Sequence, residues 1–227
     1  MHNFAMSRKI FSENGVSRPH HRTASGHAQR EKTRAAIIQS AIAVFAAQGP
    51  DAPVVEDFVK AAGISRGTFY TYFETTRDLL DATVERLSNE VIETIVPAVR
   101  DMDDPIARLA TAARLYYRKA THDPLFRAFL GSVSSVGSLA AKRVRGDLQE
   151  AIDTGLVKVQ DVELAQAIAV GVMVFALKTS AAQTGIDGQG AEVVRAILMG
   201  LGVAPARIQR ALRIELPGAT SAATPDA

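Results

Sequence analysis

Apolar residues recur along this chain three and four positions apart and nowhere in strict alternation, a pattern that predicts helices and no strands. Over residues 29–48, Ile37, Ile38, Ala41, Ile42, Val44 and Phe45 give a broad apolar face, and Gly49-Pro50 supplies the cap and breaker that end it. Asp51 is placed to cap the next helix, with Pro53 in its first turn. Val55, Phe58, Val59 and Ala62 then line one side of that helix, and Gly63 can take the left-handed conformation that ends it in a sharp turn. Ile64 plugs the angle, and Ser65 stands where an N-cap accepts from the free amides of a following helix. In that short helix Phe69 and Phe73, four apart, face inward together. The expected shared core is Ile38, Phe45, Phe58, Ile64, Phe69 and Phe73.

Thr75 and Asp78 have the spacing of a capping box and open a long helix to Val99, buried along Leu79, Leu80, Val84, Leu87, Val91, Ile95 and Val96. No linker separates it from the preceding unit. Asp104-Pro105 and Asp123-Pro124 start two more helices. The Ser/Gly-rich stretch 131–138 breaks the run, and residues 139–154 form a helix whose Lys142, Arg143 and Arg145 read as a solvated face. The most apolar helix covers 161–184, with Gly171 allowing close approach of a partner. After a Gly188-Gln189-Gly190 loop come a helix over 191–201 and a short terminal one. The fold is thus expected to be all-α, about nine helices, with an arm over 1–28, a small domain over 29–74, a larger one over 75–216 and a loose tail over 217–227.

The length of 227 residues suits one large helical domain or a small domain joined to a larger one, and 47% apolar with 22% charged residues supplies a core and excludes wholesale disorder. Without cysteine there is no disulfide or thiolate zinc site. The N-terminus lacks the apolar run of a signal peptide, and the stretch from Leu164 to Leu177 is short for a membrane span, so a cytoplasmic protein without a membrane partner is expected. Net charge is only +2, but residues 1–34 hold seven Lys/Arg against Glu13 and Glu31, plus four of the five His. That placement points to a polyanion at the N-terminal end, or to a plain solvated tail. His20, His21 and His27 lack accompanying carboxylates, so no metal site is expected. No nucleophile elbow, zinc-protease or phosphate-loop motif is present, and the chain reads as no enzyme with no cofactor.

On the short helix, Arg66, Gly67, Thr68, Tyr70 and Thr71 lie opposite Phe69 and Phe73, a small, polar and aromatic surface that a duplex major groove accepts. The run Val55-Glu56-Asp57, Lys60 to Ser65, Gly67-Thr68-Phe69-Tyr70, Tyr72-Phe73 and Asp78-Leu79-Leu80 resembles the DNA-binding signature of the tetracycline-repressor (TetR/AcrR-like) regulators over about residues 30–80. Two positions depart from the family pattern: Val54 stands where Thr is usual, and Thr76, beside Arg77, where Lys is usual.

The resemblance implies double-stranded DNA as partner. It puts Tyr70 and Tyr72 on backbone oxygens, Thr68 at the interface, and Ser65, Thr76 and Arg77 at its edge. It implies a homodimer through the last two long helices, with Val170, Val174, Leu177, Val194, Ile197, Leu198 and Leu201 as expected contacts, although the same residues suit an internal core. It further implies a pocket for a small-molecule inducer, for which Tyr116, Tyr117, Phe126, Phe129, Met173 and Phe175 are candidates and an apolar or aromatic ligand is expected; plain core fits these side chains equally. A helical scaffold that has lost DNA affinity is the other class left open.

Overall fold

A computed structural model of the chain describes residues 20–129, 132, 136–180 and 189–217. The described residues form ten helices and no strand: α1 (His20–Gln48), α2 (Val55–Ala62), α3 (Arg66–Tyr72), α4 (Thr76–Val99), α5 (Pro105–His122), α6 (Pro124–Phe129), α7 (Ser138–Asp153), α8 (Val162–Ser180), α9 (Gln189–Gly200) and α10 (Pro205–Leu212). The all-α expectation therefore holds. Helix α1 starts at His20, so residues 20–28, expected as part of an arm, are helical; the rest of that arm and the tail beyond Pro217 lie outside the described residues. Gln189 and Gly190, expected in a loop, open α9.

Helices α1, α2 and α3 pack around a chain of phenyl rings. Phe45 meets Phe58 at 4.9 Å between centroids, Phe58 stacks near Phe69 at 6.4 Å, and Phe69 reaches Phe73 at 6.0 Å. Gly63 has φ 63° and its amide and that of Ile64 donate to the carbonyls of Lys60 and Val59, which closes α2 and turns the chain toward α3. The chain passes from α3 to α4 through Phe73–Thr75. Thr75 Oγ1 accepts from the Asp78 amide at 3.1 Å while Asp78 Oδ2 accepts from the Thr75 amide at 2.9 Å, the expected capping box. Phe129 of α6 sets its edge against Phe45 at 5.8 Å, so the small N-terminal unit and the larger helical body share one core.

Helix α7 begins without a cap of its own, because Gly137 has no side chain to offer. Helix α4 caps it instead. Glu85 accepts from the Ser138 amide at 2.9 and 3.0 Å, and Asn89 Oδ1 accepts from the Leu139 amide at 3.2 Å. A Cβ on Gly137 would stand 2.7 Å from Ser88 Cβ, so the helices approach this closely only with glycine there, at φ 84°. Burial would raise the Glu85 carboxyl; the Ser138 and Asn89 donors outweigh it and hold the group below its ordinary value.

Candidate functional site

The outward surface of α3 is built from short local bonds. Ser65 Oγ accepts from the Thr68 amide at 3.1 Å and lies 2.9 Å from the Thr68 hydroxyl, which fixes both side chains at the start of the helix. Thr71 turns its hydroxyl back to the Gly67 carbonyl at 2.9 Å. Tyr70 is 49% exposed and held by an edge contact with Phe69 at 5.4 Å, so its phenol stands out from the fold on a buried base. A Cβ at Gly67 would meet nothing nearer than Ser65 Oγ at 3.8 Å; among the described residues nothing requires glycine there.

The charged residues around this face are paired on the protein. Arg66 bonds Glu56 at 2.6 Å with both side chains more than half exposed, a pairing weak enough to exchange for a phosphate. Arg77 lies 3.3 Å from Asp81 and donates to the Ser132 carbonyl at 3.3 Å, which turns it toward the larger body. Thr76 is half-buried in the first turn of α4. At Val54, 56% exposed, only half a capping box remains: Asp57 Oδ2 accepts from the Val54 amide at 2.9 Å, and the Asp57 amide turns to the Val54 carbonyl. The acceptor role of the missing hydroxyl at the Asp57 amide is thus taken by the Val54 carbonyl.

Two arginines of α1 complete the arrangement. Arg30 donates to the Thr71 carbonyl at 3.3 Å and lies 5.6 Å from the centre of the half-buried Tyr72 ring; Arg34 lies 5.3 Å from that of Phe73. Neither is among the expected site residues. Their signal is nonetheless in the sequence, because positions 30 and 34 continue the helical stripe of Ile38, Ala41 and Phe45 into polar territory.

In the larger body a cavity of about 70 Å³ lies among α4, α5, α7, α8 and α9. Tyr116 and Met173 line it, together with small side chains such as Ala112, Ala113 and Ala169. The other expected pocket residues stand elsewhere. Phe126 backs Tyr116 at 6.2 Å, Phe129 joins the two units, and the Tyr117 hydroxyl bonds Ser180 and, at 3.1 Å, Gln189. Phe175 is 69% exposed on the outer surface of α8. These differences arise because periodicity marks an inward face without saying which neighbour it meets. Tyr116 donates to Ser88 at 3.1 Å and to the Val136 carbonyl at 3.3 Å, and burial first, with the Glu85 charge, pushes its hydroxyl up to about 12, so it stays a donor. The polar side chains lining the cavity besides Tyr116 are Arg143 and Asp147, the former expected only as solvated face.

The expected dimer contacts are also redistributed. Val170, Val194, Ile197 and Leu198 line the cavity, and Leu177 and Leu201 are wholly buried within the single chain. Val174 is half-buried. Among the outward residues of α8 and α9 are Leu164, Gly171, Phe175 and Met199. Helix α8 runs to 19 residues, longer than the expected apolar stretch and, by length and composition alone, long and apolar enough to cross a membrane. No cluster of metal-ligating residues occurs among the described residues.

An exposed helix-turn-helix face is thus joined through a short connection to a cavity-bearing helical body, an arrangement suited to DNA recognition. Residues 37–83 match the model of a family described as bacterial regulatory proteins, tetR family. The uncharacterized HTH-type transcriptional regulator YvdT of Bacillus subtilis (strain 168) is 39% identical over 59 residues, covering 26% of this chain and 30% of that protein. The uncharacterized HTH-type transcriptional regulator Rv1255c of Mycobacterium tuberculosis (strain ATCC 25618 / H37Rv) is 28% identical over 93 residues, 41% of this chain and 46% of its own length. The match thus spans less than half of either curated relative. The crystal structure of RolR in complex with its ligand resorcinol superposes with a TM-score of 0.69 at 25% identity, over 86% of this chain and all of that one. Residues 37–83 thus carry the DNA-binding segment of the tetR family, in a chain whose helical fold is similar to that of RolR.

Proposed function

We propose that the protein is a ligand-released repressor that binds a near-palindromic operator as a homodimer in the cytoplasm. The observation that carries this reading is the short connection between α3 and α4: Phe73–Thr75 joins the exposed surface of Arg66, Gly67, Thr68, Tyr70 and Thr71 to the helix whose Ile92 lines the cavity. A shift of α4 therefore moves the recognition helix as a body. In this scheme Tyr70 and Thr68 meet the groove wall, Ser65 and Gly67 let the backbone approach, and Arg66 leaves Glu56 for a phosphate. Tyr72, Thr76 and Arg77 flank the same strand.

One such unit makes few contacts, so specific affinity needs two, related by a two-fold axis. The outward apolar residues of α8 and α9 supply the joint: Leu164, Phe175 and Met199 are each more than half exposed. A Cβ at Gly171, between Leu164 and Phe175 on the outer side of α8, would meet nothing within 4 Å, which leaves room for a partner helix to come close. The effector is a small apolar or aromatic molecule, as the lining of the cavity and the resorcinol held by RolR both suggest. It releases DNA by binding the DNA-incompetent arrangement better, with about 1–3 kcal/mol of coupling.

The test is selection of bound sequences from a random duplex pool with the full chain at moderate salt. A near-palindromic site whose affinity falls steeply with salt is expected. A folded dimer that selects no sequence under any condition overturns the reading.

A further inference from the structure

We infer that Asp147 is the hydrogen-bond acceptor for a hydroxyl on the effector, and that the cavity takes a single-ring hydroxyaromatic molecule. This rests on the cavity being the effector site, as proposed above. A volume of about 70 Å³ is roughly half that of an apolar cavity of ~150 Å³ that holds benzene, so the space admits one ring at most, with some give in the lining. Most of that lining is aliphatic, and an aliphatic wall rewards a flat apolar ring without selecting it. Selection then falls to the few polar groups present.

Of these, Tyr116 already spends its proton on Ser88 and Val136. Asp147 is different. Its Oδ1 accepts from Arg108 Nε at 2.7 Å, and no other hydrogen bond reaches the carboxylate among the described residues. A carboxylate has room for about four donors, and this one is largely out of water, its side chain 17% exposed. Burial pushes the Asp147 carboxyl up in spite of Arg108 and Arg143, the mark of a charge short of donors. An occupant that set only C–H groups against Asp147 would strip its remaining water and give nothing back, whereas a phenolic O–H supplies a charge-assisted bond. An anionic ring acid meets a like charge at Asp147, although exposed Arg143 offers it a counter-ion at the edge.

The same carboxylate sits at one end of a clamp. Arg108 also donates to the Met102 carbonyl at 2.7 Å, just beyond the end of α4, and pairs with Glu150. A hydroxyl on a free lone pair of Asp147 draws on the charge that holds Arg108, and so weakens one of the two carboxylate ties between α7 and the segment that follows α4, the other being Glu150. Hydroxyl recognition and release of the reading helix thereby share one side chain.

The experiment titrates the full chain calorimetrically with phenol, toluene and benzoate, in the wild type and in Asp147→Asn, with operator binding followed in parallel. Phenol is expected to bind the wild type at least tenfold tighter than toluene. In Asp147→Asn that margin should fall to within about threefold, while unchanged toluene affinity reports an intact cavity. Equal affinity of phenol and toluene for the wild type overturns the role of Asp147 and leaves an apolar effector standing. Tighter binding of benzoate than of phenol overturns it in favour of Arg143. Binding of none of the three at millimolar concentration, by protein that still holds operator, overturns the cavity as an effector site altogether.

Discussion

Thr111 lies wholly buried in α5, and its hydroxyl has no hydrogen-bond partner among the described residues. A buried hydroxyl without a partner costs on the order of 1–3 kcal/mol, so Thr111→Val, which keeps the shape and removes the polar atom, is expected to raise stability by about 1 kcal/mol. A denaturant midpoint lower than that of the wild type would mean that the hydroxyl does have a partner. Gly67 poses the opposite problem. The fold has space for a methyl group there, and alanine is the better helix former by about 1 kcal/mol. Gly67→Ala is therefore expected to melt at or above the wild-type temperature while losing operator affinity tenfold or more, because in the proposed complex the methyl stands where DNA backbone approaches. Unchanged affinity in a binding titration would remove Gly67 from the interface. Gly137 is glycine for the protein's own sake: at φ 84° and against Ser88, any side chain there separates α4 from α7.

That junction is where an element-scale consequence arises. Helix α7 depends on Glu85 and Asn89 of α4 for the caps its own sequence lacks. Since the folded Glu85 carboxyl is held below its ordinary value, its ionised form favours the fold. The contribution is complete above the ordinary glutamate value of about 4.3 and is lost as pH falls through the lower folded value. Glu85→Gln should accordingly be less stable than wild type near neutrality, with the gap closing in acid. Thermal denaturation at pH 7 and at about pH 3 checks this, and a constant gap would assign the effect to packing instead. None of the junction is legible in sequence, because Glu85 and Ser138 lie far apart in the chain and meet only through the angle between two helices. The helix-turn-helix, by contrast, is written locally: the Gly63 turn, the Ser65 cap, the Thr75–Asp78 box and the Phe69/Phe73 pair each rest on neighbours within four residues. The cavity falls between these cases. Tyr116 and Met173 could be named from periodicity, but Asp147 could not, since only the approach of α5 and α8 turns a seemingly solvated helix into a wall.

Across the whole molecule, the proposed dimer makes the distance between two recognition helices depend on whatever joins the protomers, and in that proposal α8 and α9 set it. Sequence alone offered the apolar residues of both helices together. The fold divides them: Leu198, wholly buried, belongs to the core of one chain, whereas Phe175 and Met199, 69% and 64% exposed, belong to no neighbour in it. A charge at the two kinds of position should therefore act differently. Leu198→Glu buries an unpaired carboxylate and is expected to destabilise the single chain by several kcal/mol, with loss of helical signal. Phe175→Glu puts its charge on a surface already open to water, so the helical signal and the melting of the isolated chain should be nearly unchanged, while the joint between copies gains two facing carboxylates across the two-fold axis. Sedimentation at micromolar concentration should then report a folded monomer for Phe175→Glu and a dimer for wild type. Operator binding should weaken together with the dimer, since each half-site would be held by one unit alone. If Phe175→Glu remains a dimer with wild-type operator affinity, the protomers meet through another surface, and the spacing of the recognition helices is set there instead.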